Sequence, residues 1–540
     1  MAPVRTVMGL TRRELISAFL GAPFAVAACN TDSQPAFPVG EIVGQNVDLG
    51  HLLRPNHSFH VPDDSWQTVD VAIIGAGIAG LTAAWKLKRE NHNDFVLLEL
   101  EREAGGTSQS SRGKPVGYPW GAHYLPVPFK ENTELISLLD EMSLIERRNK
   151  NGEVVIAEQY LCREPEERVF YKGRWYEGLY LSVGASEVDK HQLGAFQAKI
   201  DAWVTWRDRT GRRPFGVPMA ICSDDVEVTD LDKISFAEWL TQNGFTSERL
   251  RWYCDYACRD DYGLRLEQTS AWAGLFYFCS RVRTSGVESQ PFITFPEGNG
   301  RFVDHLARGV NDQIQRSHAV VSVIPGERGV GVIATDGRQV KGFHCNKAIF
   351  AAPMFTAPFV IRGFRDTAPF AAADFQHNAW FVANLFLKDR PAPRFSRDFP
   401  LAWDNVLYES PSLGYVTATH QKGIDYGPTI LTYYYPMCHE ENGRTKLFNY
   451  DWRQLADVCL TDLSRAHRDI RVLTERVDIM RWGHAMISPR PNFIWSGVRE
   501  KAVGPYGNIH FAHTDLSGIA LFEEAFYHGL RAAGEIIQQK

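Results

Sequence analysis

Apolar positions fall into three separated stretches in which a short buried strand runs through small residues into a turn or an amphipathic helix. In the first, "VDVAIIGAGIAGLTAAWKLKRE", a continuous apolar strand meets a glycine turn and then a helix-period pattern, and "DFVLLELE" supplies the next buried strand. That order predicts a βαβ half-unit. In the second, "AVVSVIPGERGVGVIATDGRQVKGFHCNKAIFAAP", β-branched residues alternate around turn signals such as Asp336-Gly337, as in a hairpin or meander. The third, "GNIHFAHTDLSGIALFEEAFYHGLRAAGEII", repeats the order of strand, small-residue turn and helix. These stretches predict one domain assembled from residues 66–130, 296–355 and 481–540. Residues 131–295 and 356–480 mix helical patterns such as "ISFAEWLTQNGF" with strand patterns such as "AWFVANLFL" and "TILTYYYPM", and predict an inserted α+β domain. Residues 30–65, rich in Pro, Asn, Asp and Ser, predict a tether. The fold class is therefore α/β, a doubly wound parallel sheet with a mixed second domain. No fixed-period repeat argues for a solenoid or propeller.

Length and charge narrow the partners. At 540 residues the chain holds more than one ordinary core, and 44% hydrophobic with 23% charged residues is the composition of a globular protein. With a net charge of -6 and no clustered basic stripe, nucleic acid is excluded as an expected partner. Arg12 and Arg13 precede a short apolar run from Leu15 to Ala28, the layout of a signal peptide over residues 1–29. The arginine pair resembles a twin-arginine export signal, and Val26-Ala27-Ala28-Cys29 resembles a lipobox, so the expected location is periplasmic or otherwise extracytoplasmic, and the lipobox resemblance implies a membrane tether through Cys29. The apolar run is shorter than the roughly 20 residues a spanning helix needs. Nine cysteines form no CxxC pair, which leaves no expected metal site. Cys254 and Cys258, four apart, read as buried apolar residues rather than a disulfide or ligand pair.

The strongest chemical signal is Gly75-Ala-Gly77-Ile-Ala-Gly80 between strand and helix, with Glu99 at the end of the next strand. Gly75 permits the tight turn, Gly77 lets backbone approach a pyrophosphate, and Gly80 lets helix and strand pack closely. The helix N-terminus faces the negative charge, and Glu99 accepts from ribose hydroxyls. The plain alternative is a glycine turn that serves packing only. A glycine pair, Gly105-Gly106, follows Glu99 by six and seven residues, with Thr107 next.

That extended pattern resembles the dinucleotide motif of the flavin-containing amine oxidase family, which includes monoamine and polyamine oxidases, protoporphyrinogen oxidase and phytoene-desaturase-like flavoproteins. The resemblance covers the chain from about Trp66 to the C-terminus in pieces and weakens across the insertions. It implies FAD, expected to be noncovalent because the chain lacks the cysteine that some members of the family use for attachment. It puts "PWGAHYLP", with Gly121, Ala122 and His123, beside the isoalloxazine ring, and Val320 of "AVVSV" at the adenine. It also puts Asp515 at the phosphate-ribose region, and Leu521 and Phe522 at a helix start aimed at the flavin's pyrimidine edge. "FPEGNGRFVDHLA" resembles the family's turn and helix before its second nucleotide segment. The segment "RWGHAMISPRPNFIW" and the residues after it offer no cysteine for covalent attachment, and Val382 stands where many amine oxidases place a lysine.

Catalytic candidates are His123, as a proton exchanger beside the flavin, and Tyr434, as one wall of an aromatic cage for an amine. Tyr433, Tyr434 and Tyr435 alternate faces of one strand, and ordinary core packing is the alternative for all three. Trp482, His484 and Arg490 are candidates for the flavin edge, whereas Asp255, Asp260 and Asp261 read as a solvated acidic face. The resemblance implies oxidation of a carbon-nitrogen bond by hydride transfer to FAD, with dioxygen or another acceptor reoxidising it. The alternatives are desaturation or isomerisation of an apolar, polyene-like substrate, and a non-catalytic FAD-binding lipoprotein. An NAD-dependent dehydrogenase leaves Gly105-Gly106 and Asp515 unexplained.

Overall fold

Strand Trp66–Ile74 forms where the pattern requires, because its inner residues Val71, Ala72, Ile73 and Ile74 are all apolar and all buried. The computed structural model describes residues 37–538 apart from 55–57, 283–289, 394, 396 and 397, so Arg12, Arg13 and Cys29 lie outside the described residues. Trp66–Ile74 pairs in parallel with Phe95–Leu98 on one side and with Val340–Phe350 on the other. Ile314–Gln315 extends one edge, and the antiparallel meander Ala319–Pro325, Val330–Thr335 extends the other. Ile509–Phe511 joins Val340–Phe350 in parallel, so one seven-stranded sheet gathers strands from widely separated stretches of chain. Helices Ile78–Arg89 and Phe522–Gln538 pack together so closely that a Cβ on Gly529 would lie 2.4 Å from the carbonyl oxygen of Ala79. This is the expected α/β class.

A second, eight-stranded sheet is built mainly from the inserted segments, joined by Ile42–Val43 and by a strand that runs past the expected boundary at 481, in the order Ile42–Val43, Thr474–Ile487, His377–Leu387, Thr429–Pro436, Gly414–Thr417, Asp404–Leu407, Glu167–Tyr171, Arg174–Glu177. Its central strands are buried on both faces, which is why "AWFVANLFL" and "TILTYYYP" read as continuous apolar runs. Helices Phe236–Gln242, Glu248–Tyr262 and Ala271–Cys279 form an apolar layer around Phe236 and Trp272. The first of them starts at a capping box in which Ser235 and Glu238 satisfy each other's backbone N–H groups. Cys254 and Cys258 are buried and free, and the described residues contain no group of three or more His, Cys, Asp or Glu able to hold a metal. No described helix is long and apolar enough to cross a membrane.

The expectation of a tether over 30–65 fails for its described part. Ile42 and Val43 pair with Ile479 and Met480 at the edge of the eight-stranded sheet. Helix Val47–His51, capped by the Asn46 side chain, buries Leu49 with Val61, Ala319, Val321 and Ile333 beside the seven-stranded sheet. The segment docks through backbone pairing and two apolar anchors, and neither produces periodicity in the sequence.

Candidate active site

The glycine turn is shaped as the spacing requires. Gly75 has φ +97°, and a Cβ there would approach the Ala351 carbonyl oxygen to 2.9 Å. At Gly80 a Cβ would lie 1.9 Å from the Gly75 carbonyl oxygen, so this residue serves helix-strand packing. Gly77 differs from both. It is the N-cap of Ile78–Arg89, its φ of −70° suits any residue, and nothing lies within 4 Å of where its Cβ would be.

Gly105 donates its N–H to the Ala76 carbonyl (2.7 Å) and pairs with Gly77, which brings the two glycine motifs side by side. Ala122 N–H donates to the Thr107 carbonyl (2.9 Å), and Gly121 passes so close to that carbonyl that a Cβ would lie 2.2 Å from it. Glu99 accepts from the N–H groups of Ala76 (2.6 Å) and Glu101 (2.8 Å). Burial outweighs these bonds and pushes its carboxyl up to about 7.

A cavity of about 960 Å³ runs along this surface, and Gly75, Gly77, Glu99, Gly105, Gly106, Thr107, Ala122, Val320, Leu521 and Phe522 all line it. An unfilled space over Gly77 at a helix N-terminus, with a carboxylate at its flank, suits a dinucleotide. No cysteine is among the lining residues. Trp482 and His484 are in the wall, whereas Arg490 is not. Trp482 Nε1 donates to the Trp120 carbonyl (2.7 Å), and His484 stacks on Phe355 at 4.1 Å. Burial, with Arg444 and His377 nearby, pushes His484 down to about 3.

Asp515 departs from its expected position. Its carboxylate is fully buried and outside the cavity wall. Oδ2 accepts from Met354 N–H (2.8 Å), while Oδ1 lies 2.9 Å from His377 Nε2 and 3.0 Å from His513 Nδ1. With both oxygens engaged, it holds the two histidines, and these face the cavity in its place. Burial alone would push the carboxyl up, but His377 and His513 together hold it well below the ordinary carboxylate range. Arg444, also in the wall, donates to the carbonyls of Gly483 (2.6 Å) and His377 (2.7 Å).

His123 and Tyr434 come together, also outside the cavity wall. Their rings lie 5.0 Å apart, and Tyr434 OH (2.8 Å) and His123 Nδ1 (3.3 Å) share the Gly121 carbonyl. Burial pushes His123 down to about 4, so its imidazole is neutral near pH 7 and a weak base. Trp403 and Tyr124 pack against the His123 ring, and Phe292 lies 4.8 Å from Tyr124. Tyr433 and Tyr435 face the other way, with Tyr433 OH donating to Asp462 (2.9 Å) and Tyr435 stacked on Phe381. Val382, at 1% exposure, packs in the same cluster as Trp403 and Tyr434.

The acidic run is not a solvated face, because helix Glu248–Tyr262 is surrounded. Asp255 bridges Arg259 (3.0 Å) and Arg265 (3.1 Å), and Asp261 pairs with the buried Arg281 (3.3 Å). Asp260 and Glu167 make no side-chain hydrogen bond or ion pair among the described residues, and burial with neighbouring carboxylates pushes both well above the ordinary range. Asp404 accepts from Tyr256 OH (3.3 Å), and burial pushes it up to about 7. Asp260 and Asp404 in turn raise Tyr434, which places these carboxyls near the aromatic cluster. None of this was visible in the sequence, where Glu167, Asp260 and Asp404 lie far apart.

A family model for flavin containing amine oxidoreductase matches residues 78–537. The oxidoreductase PigB of Serratia sp. is 22% identical over 90% of this chain and 79% of its own length. Two solved structures share the fold. The cyclohexylamine oxidase of Brevibacterium oxydans has a TM-score of 0.62 at 16% identity, covering 87% of this chain and 99% of its own. A CLA-producing fatty acid isomerase from P. acnes has 0.61 at 15%, covering 86% and 98%.

Proposed function

This chain belongs to the flavin-containing amine oxidoreductases, and from that premise we propose that it oxidises an amine at a carbon-nitrogen bond. The cofactor of such an enzyme is FAD. Gly77 and the N-terminal N–H groups of Ile78–Arg89 would receive its pyrophosphate, Glu99 its ribose and Val320 its adenine. The backbone at Ala122 and the helix start at Leu521–Phe522 would flank the ring. Bound there, FAD supplies a hydride acceptor for the carbon next to nitrogen.

The carrying observation is the pair Asp260 and Asp404 beside Tyr434, with Glu167 opposite Asp404 on the neighbouring strand; none of the three makes an ion pair among the described residues, and Arg281 and Arg259 act on Asp260 only from a distance. Half-buried carboxyls crowded by like charge are costly when all are ionised, and an arriving ammonium would offset that cost. Asp404, poised near 7, suits removal of a proton from the ammonium, and the aromatic rings exclude water from the neutral amine. Val382 in place of a lysine favours a second reading, isomerisation or desaturation of an apolar substrate.

Anaerobic addition of primary amines and polyamines should bleach the flavin band, faster as pH rises, and Asp404→Asn should slow that reduction about tenfold near pH 7 while FAD stays bound. A band that persists with every amine, on a protein that converts a polyene or unsaturated fatty acid, would replace this reading with the second.

Glu99 gives a further expected result. Its raised carboxyl stabilises the apoprotein below about pH 4, the unfolded value, and that contribution is lost as pH rises through about 7. Ribose hydroxyls donate to the ionised form, so FAD should bind about tenfold more weakly at pH 6 than at pH 8. Titration of apoprotein with FAD checks this, and Glu99→Gln should flatten the profile.

A further inference from the structure

The cavity has a third wall that belongs neither to the glycine motifs nor to the inserted segments. Gln45, Asn46, Gly50, His51, Leu53 and Arg54 line it, together with Glu99, Glu101 and Val320. This segment is anchored at both ends. On the eight-stranded sheet, Ile42 and Val43 pair with Ile479 and Met480, Val477 N–H donates to the Val39 carbonyl (2.8 Å), and Arg476 pairs with Glu41 (2.6 Å). On the seven-stranded sheet, Asn46 N–H donates to Glu101 Oε2 (2.7 Å), two residues beyond the ribose-binding candidate. Gly50 lies against Leu100, and Leu49, only 5% exposed, packs on Ala319 and Val321, the neighbours of Val320. The segment therefore crosses from one sheet to the other over the Glu99–Val320 end of the cavity. At its far end stands Arg54, whose guanidinium makes no ion pair or hydrogen bond among the described residues although it lines a cavity suited to an anion.

We propose that residues 45–54 are part of the FAD site, a strap over the ADP half of the cofactor that slows its release and sets the Arg54 guanidinium against its diphosphate. The chemistry is simple. Glu99 and Glu101 put two carboxylates at this end of the cavity, and Arg54 is the strap's fixed positive charge. A charge-assisted bond from Arg54 to a phosphate oxygen would form only with cofactor present. A strap docked by Leu49 and the Asn46–Glu101 bond must lift before the nucleotide leaves, so its effect falls on the release rate.

The proposal rests on FAD binding alone and not on amine oxidation, so its test uses no turnover. Release of FAD from the holoprotein is followed by recovery of flavin fluorescence after dilution, for the parent, Leu49→Asp and Arg54→Ala. Release should be at least about tenfold faster in Leu49→Asp and severalfold faster in Arg54→Ala, an exposed position whose change leaves the fold intact. Hydrogen exchange of the peptide 45–54 in apoprotein locates the strap: ADP should slow it, and FMN, which lacks the adenosine half, should not. Unchanged release in Arg54→Ala together with unchanged exchange on adding ADP would overturn the proposal, whether or not Leu49→Asp folds. A protein that fails to oxidise any amine but shows these effects would leave the strap standing and remove only the amine reading.

Discussion

Gly77→Val should yield a folded, colourless protein. Valine tolerates a φ of −70°, and no atom lies within 4 Å of the new Cβ, so the apoprotein loses only the N-cap preference for glycine over valine, about 1 kcal/mol. The added methyls would project into the cavity at the helix N-terminus and hold a pyrophosphate away from the N–H groups there. Hydrogen bonds to a charged group contribute about 1.5–3 kcal/mol each, so losing two weakens FAD binding by about 100-fold or more. FAD titration of the apoprotein measures this, with apoprotein Tm as the control for folding. Gly80→Val is the contrasting variant: its Cβ would press on the Gly75 carbonyl at 1.9 Å, so it should damage the fold itself. A yellow Gly77→Val protein with the parent's affinity would show that the cavity over Gly77 is not where the pyrophosphate lies.

Asp515→Ala should cost more stability than any other single change at the cavity. It removes the acceptor of the Met354 N–H and leaves His377 and His513 facing a void, all at a fully buried position. Breaking a buried, hydrogen-bonded charged cluster from one side costs about 3–5 kcal/mol. The denaturation midpoint should fall accordingly, and FAD affinity with it, because both histidines stand in the cavity wall. Asp515→Asn keeps an acceptor for Met354 and should recover part of the loss. The carboxyl is held below its ordinary value in the folded protein, so its contribution is present above the unfolded value of about 3.9 and fades as pH falls below it. The gap between parent and Asp515→Ala should therefore stay open at neutral pH and narrow only in acid. Equal midpoints at pH 7 would show that the cluster contributes nothing.

What could be read in the chain was local. Gly75, Gly77, Gly80 and Glu99 lie within one strand-turn-helix-strand unit, where Gly75 and Gly80 meet contacts only glycine allows, Gly77 leaves open space at the helix start and Glu99 accepts from Ala76 N–H. Gly105 and Gly121 needed the family resemblance, because their duty is to approach Ala76 and Thr107 from a distance along the chain. The acids Glu167, Asp260 and Asp404 were unreadable, since nothing in "CRDDYG" tells whether other elements surround that helix. Asp515 was read as an acid but not by direction. Two histidines, one of them 138 residues away, turn it from the cavity. Residues 37–54 escaped for another reason: hydropathy reports side chains, and this segment is held largely by its backbone.

The pairing of that segment has a consequence for how the molecule is made. Glu41 and Arg476 are 435 residues apart, so the segment's sheet partner is synthesised near the end of the chain. The edge pairing of Ile42–Val43 can form only once Thr474–Ile487 is in its sheet, and contacts of this sequence separation form slowly. The earliest residues of the folded body to leave the ribosome are thus among the last to find their place.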